Sequence, residues 1–238
     1  MTLPLGSLSL VCGANGSGKS NLYRSLALLA AAARGDLVAA LAAEGGLPAV
    51  FWAGAQRSRE PTRLRLGFAG TMLSYAIELG YHADDQTSAF LLDPEIKREW
   101  IWAGGPFHPR SLLVQREGTV VERHDDGTRA VADPLEAPEV FRLRNTILSW
   151  RFYDSFRTDR DAPARQSPLA TRTPSLAADG SDLAAAVQTI LEIGDRAGLQ
   201  RALSDAFPGC RLSVDTSNPR FRLHCWCSMN RRTASIPI

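Results

Sequence analysis

The sequence predicts an α/β chain, and three observations carry that reading. A β-favouring run leads through a glycine-rich loop into a helix near the N-terminus, strands of alternating polarity fill residues 62–135, and helical patterns return after them. Strand, loop and helix in immediate succession form a βα unit, whereas the run of alternating strands reads as an antiparallel lobe attached to it.

The first element is "LSLVC", Leu8 to Cys12, a short strand in which Cys12 serves as a small buried apolar side chain. The loop that follows, "GANGSGKS" from Gly13 to Ser20, satisfies G-x-x-x-x-G-K-[ST]. Its residues suit a polyphosphate. Gly13, Gly16 and Gly18 allow a tight turn with inward N–H groups, and the positive end of the next helix dipole points to the same place. Lys19 is placed to reach the outer phosphates, and the Ser20 hydroxyl to ligate Mg²⁺. Lys19 and Lys97 are the only lysines in an arginine-rich chain, so the compact point charge stands where a phosphate needs one. The expected nucleotide-binding set is Gly13, Asn15, Gly16, Ser17, Gly18, Lys19, Ser20 and Asn21, with ATP and Mg²⁺ as ligands.

Leu22, Leu26, Leu29 and Ala33 recur at helical spacing up to a stop at Gly35, and a second helix runs from Asp36 to Glu44 before Gly45 and Gly46. The strands come next. Tyr75, Ile77, Leu79 and Tyr81 share one face, and turns are expected at Glu117–Gly118 and Asp126–Gly127. Within this run "AFLLDPE" offers Asp93 and Glu95 as acids for metal or water. They are separated by Pro94 inside a strand that continues past them, so they read as structural.

From Glu139 the chain is helical or mixed, then passes through the polar loop "RTDRDAPARQSPLATRTPS". Arg157, Arg160, Arg165 and Arg172 lie in or beside it, interleaved with Asp154, Asp159 and Asp161, which favours internal pairing over phosphate contacts. Two amphipathic helices follow, carrying Leu183, Val187, Ile190 and Leu191, then Leu199, Ala202, Leu203 and Phe207. Two strands around Ser217–Asn218–Pro219 come last, and then "HCWCSMNRRTASIPI", which loses alternation. His224, Cys225 and Cys227 are too closely spaced for a usual zinc site.

Taken with its flanks, "GxNGxGKSNL" resembles the ABC-type loop of RecF/SMC-like ATPases. "EGGLPAVFWAG" (44–54), "WRFYDSFRTDRDAPAR" (150–165) and "DGSDLAAAVQTI" (179–190) resemble a bacterial group of stand-alone AAA-type ATPases in that clan. The resemblance implies a P-loop NTPase core bearing an antiparallel β-lobe at 62–135. It also implies ATP held between two subunits of a homodimer, with DNA or a protein partner acted upon. The clan's signature segment and later acidic strand are not found, so residues 1–216 read as an incomplete ATPase domain and 217–238 as an atypical tail, consistent with a truncated chain whose central sheet is incomplete. ATP binding is therefore expected and unaided hydrolysis is not; a regulatory or non-catalytic nucleotide-binding module, or a small-molecule kinase, stays open.

The net charge of +2 makes no global case for nucleic acid or an anionic membrane. No signal peptide or membrane-spanning run is apparent, which points to the cytoplasm, where the four cysteines are expected to be reduced.

Overall fold

The computed structural model describes residues 2–51, 62–81, 89–90, 92–125, 128–131, 138–154, 156–227 and 236–237. The chain is mixed α/β and divides into two compact units, Met1–Trp150 and Arg151–Ile238. The division expected at 216/217 instead falls in the turn between two paired strands of the second unit.

In the first unit, helix α1 (Lys19–Arg34) ends at Gly35, whose φ of 90° is the left-handed conformation that closes a helix at low cost to glycine. Helix α2 (Leu37–Ala43) and the single turn α3 (Leu47–Val50) follow. Leu29, Leu41 and Leu47 are buried almost completely, while Leu22, Leu26 and Ala33 of α1 are half-buried.

Six strands then form one antiparallel sheet in sequence order: β1 (Leu64–Phe68), β2 (Leu73–Tyr81), β3 (Pro94–Ala103), β4 (Leu112–Glu117), β5 (Val120–Asp125) and β6 (Thr128–Val131). The antiparallel lobe expected at 62–135 is present as this sheet. Gly118, at φ 59°, turns β4 into β5 through a two-residue loop, as its sequence predicts. The second expected turn, Asp126–Gly127, lies outside the described residues.

Strand β2 is the centre of burial. Tyr75, Ile77 and Leu79 are buried on one face as expected, and Tyr81 is half-buried. The opposite face is buried too, through Ser74 and Glu78. Ser74 donates to the Gly104 carbonyl, and Glu78 accepts from Arg65 at 2.7 Å and pairs with Arg63 at 3.6 Å, so neither polar group is left unsatisfied. Two bulges, at Glu78/Leu79 and Ile101/Trp102, bend the ladders flanking β3.

Helix α4 (Pro138–Leu148) packs its buried Leu143 and Ile147 toward the sheet, touching α1, β2 and β4. It begins one residue before the expected Glu139. The first unit is thus a helical layer on one sheet face.

In the second unit, helices α5 (Leu183–Ile193) and α6 (Arg196–Ala206) pack with the hairpin of β7 (Cys210–Asp215) and β8 (Arg222–Cys227), extended by the short β9 (Ile236–Pro237). Ala184, Val187 and Leu223 form its core, with Leu191, Leu199, Val214 and Phe221 against them. Phe207, expected on the apolar face of the second helix, is exposed instead, because it sits past the last helical turn. The arginine-rich loop pairs internally, as its interleaved charges predict. Arg157 binds Asp159 through two 2.8 Å contacts, and Arg165 donates to the Thr158 carbonyl.

Two cysteine expectations are corrected. Cys210 is disulfide-bonded rather than reduced, and it lies on β7 opposite Cys227 in the strand register. Cys12 is exposed rather than buried.

Candidate nucleotide-binding loop

The glycine-rich segment leads into a helix, as its motif demands, but its upstream half differs from expectation. Residues 8–12 are not a strand: they pair with no other segment among the described residues, and Leu8 and Leu10 are 94% and 89% exposed. A β-favouring run becomes a strand only where another strand supplies hydrogen bonds and a face to pack on. Every described strand neighbour here is antiparallel and lies elsewhere in the chain. Cys12 is exposed for the same reason, since the strand that was to bury it does not form.

Downstream, the loop's geometry follows its glycines. Gly16 and Gly18 have φ of 80° and 93°, which a side chain opposes. Gly13 permits a close approach of another kind, since a Cβ there would stand 2.7 Å from the Ser17 hydroxyl oxygen. The Ser17 N–H donates to the Ala14 carbonyl at 3.2 Å and closes a turn within the loop. Gly18 is then the N-cap of α1, and it supplies no side chain to satisfy the helix's first N–H groups. No acidic residue stands in the first turn. The positive end of a 16-residue helix is therefore left free of the residues that normally neutralise it.

Lys19 folds back over this loop. Its ammonium donates to the Gly13 carbonyl at 2.7 Å and the Ala14 carbonyl at 2.8 Å, which holds the charge beside the α1 N-terminus. Gly13 to Ser17, Ser20 and Asn21 are exposed, and Gly18 and Lys19 half-exposed, so an anion from solvent has access to the loop. All eight sequence-expected binding residues thus lie in one continuous loop and first helical turn.

The donor set fits phosphate: uncapped N–H groups, a positive helix end and one ammonium. Its fit to Mg²⁺ is partial. Ser20 offers one hydroxyl oxygen, and an octahedral ion held this way takes its other ligands from phosphate and water. Among the described residues no carboxylate pairs with Lys19 or Ser20, and no group of three or more His, Cys, Asp or Glu side chains has metal-binding placement. Asp93 immediately precedes antiparallel β3 and Glu95 is the strand's second residue, where it pairs with Lys97.

No protein-family model, curated protein or solved structure matches this chain. Among the described residues, no helix is long and apolar enough to cross a membrane.

Proposed function

We propose that the loop from Gly13 to Asn21 binds the polyphosphate of ATP, with Mg²⁺ carried on the nucleotide and touching Ser20. The observation that carries this reading is the uncapped N-terminus of α1 with the Lys19 ammonium held beside it by two loop carbonyls. Phosphate oxygens arriving at the loop meet uncapped N–H donors and a cation held close by, so reorganisation is confined to the Lys19 side chain. Lys19 then exchanges its two carbonyl partners for phosphate oxygens, a charge-assisted gain.

Within this reading, loop and α1 belong to a P-loop NTPase core of the RecF/SMC-like kind, and the six-stranded sheet is its antiparallel lobe. The sheet's place after the loop in the chain supports that assignment. The unpaired segment 8–12 weighs against a complete core, because such cores place a strand of a parallel sheet before the loop. A homodimer through the nucleotide face, action on DNA or a partner protein, and a cytoplasmic location belong to the same proposal.

A specific observation favours binding without turnover. Hydrolysis needs an acid to hold the metal and a group to orient water. Among the described residues no carboxylate is paired at Lys19 or Ser20. On this reading the described residues act as a nucleotide-binding module, and any hydrolysis requires groups beyond them.

Competition against a fluorescent ATP analogue tests the reading. Recognition by the phosphate cradle requires ATP to compete better than ADP, and ADP far better than AMP or adenosine. Equal competition by adenosine would show that the base, not the loop, is being bound, and would overturn the proposal.

A further inference from the structure

The first unit contains a cavity of about 240 Å³ that the nucleotide reading does not use. It lies between the sheet and the helices α1 and α4. Its walls are mostly aliphatic, with Leu29 and Ala33 from α1 and Ile147 from α4, yet one wall is charged. On that wall the Tyr75 hydroxyl donates to Glu99 at 2.5 Å, and Arg116 donates to the other Glu99 oxygen at 3.0 Å. Strand register explains the grouping. Glu99 of β3 is directly opposite Arg116 of β4, and Tyr75 of β2 is opposite Ile101, two residues along the same face of β3.

The charge count is uneven. Glu99 is satisfied at both oxygens, so it presents no free acceptor to the cavity. Arg116 is otherwise bound through Nε to the Gly118 carbonyl, which leaves Nη2 without an acceptor among the described residues. Arg144 of α4, a solvent-exposed residue that also lines the cavity, donates through Nε to the Ala33 carbonyl and leaves both terminal nitrogens without a partner among the described residues. Two guanidinium groups against one carboxylate give the site an excess positive charge beside an apolar interior. Burial, and then the neighbouring Glu99 charge, raise the Tyr75 hydroxyl well above its ordinary range, which keeps it a neutral donor.

We propose that this cavity binds a small amphipathic carboxylic acid, its hydrocarbon part among the aliphatic side chains and its carboxylate on the free guanidinium donors of Arg144 and Arg116. Carboxylate matches the planar donor fork of arginine, and an anion balances the excess charge. Size limits the ligand. The volume equals that of about eight water molecules at ~30 Å³ each, so an acid of about eight to ten non-hydrogen atoms fits within it. This site stands apart from the nucleotide reading: it uses different residues and is tested without nucleotide.

The test titrates the full chain with octanoate, octan-1-ol and octylamine by saturation-transfer NMR. Octanoate is expected to bind saturably and at least tenfold tighter than either control of equal tail length. Arg144→Gln, which keeps a polar side chain, is expected to weaken octanoate about tenfold and leave octan-1-ol unchanged. Ala33→Leu, which fills the cavity, is expected to abolish both, with a thermal melt of each variant confirming that it folds. Equal affinity for acid and alcohol, or indifference of octanoate to both substitutions in folded variants, overturns the proposal. So does the absence of saturable octanoate binding to the unmodified chain.

Discussion

Tyr75 provides a prediction whose sign and size follow from its surroundings. Its hydroxyl is buried and donates to Glu99, and both burial and the adjacent negative charge disfavour the tyrosinate. The folded-state pKa therefore lies above the ordinary value of 10.0. For an acid with a raised folded pKa, the folded chain keeps a proton that the unfolded chain has already lost. Stability from this group is fully present below pH 10.0 and falls as pH rises toward the folded pKa. A full proton difference over one pH unit corresponds to about 1.4 kcal/mol, but the unfolded tyrosine is only half ionised at pH 10, so the chain is expected to lose about 1 kcal/mol between pH 10 and 11 through Tyr75. Tyr75→Phe removes this proton and its pH dependence, although it also costs roughly 1.5–3 kcal/mol at neutral pH by deleting a hydrogen bond to a charged acceptor. The assay is urea unfolding followed by far-UV circular dichroism at pH 8, 10 and 11, for both proteins. The stability gap between them is expected to narrow by about 1 kcal/mol from pH 10 to 11. A gap that stays constant over that interval refutes the argument, because it means the hydroxyl titrates alike in folded and unfolded chains.

Three further outcomes follow from the described geometry. Gly18→Ala places a side chain at φ 93° and is expected to cost about 1–2 kcal/mol, read as weakened ATP binding or a lowered melting temperature; equality with the unmodified chain in both would show that the loop tolerates another conformation. Leu79→Ala empties a fully buried position of β2, and its cost of about 2–5 kcal/mol in urea unfolding is the size expected where a sheet centre cannot collapse. Asp93→Asn is expected to leave nucleotide affinity unchanged in a titration with Mg-ATP, since Asp93 lies at the entry to β3; a large loss there would return this acid to the site.

Much of the architecture was written in local patterns. The stop at Gly35 needed only the positive φ that glycine tolerates, and the strands from Leu64 to Val131 were visible through alternation and the Gly118 turn. The glycine-rich loop and its helix start were equally legible, because motif, helix start and glycine angles are all local. What failed was the one element that needed a distant partner. "LSLVC" has the composition of a strand, but no described strand pairs with it, and Leu8 and Leu10 remain in solvent. The Cys210 disulfide was missed because cysteine spacing alone does not tell which thiols the fold brings together. The cavity left no sequence signal. Tyr75, Glu99 and Arg116 each look like ordinary strand residues, and only the register of three strands and the approach of α4 bring them to one cavity that Arg144 also lines.

The central claim is that the Lys19 ammonium and the α1 N-terminus together hold a polyphosphate, and isothermal titration of Mg-ATP into the unmodified chain and Lys19→Ala tests it most directly. Loss of a charge-assisted contact worth roughly 1.5–3 kcal/mol predicts that Lys19→Ala weakens binding by about tenfold to a hundredfold while the variant melts like its parent. Equal binding by the two proteins, or no heat from the unmodified chain, contradicts the account.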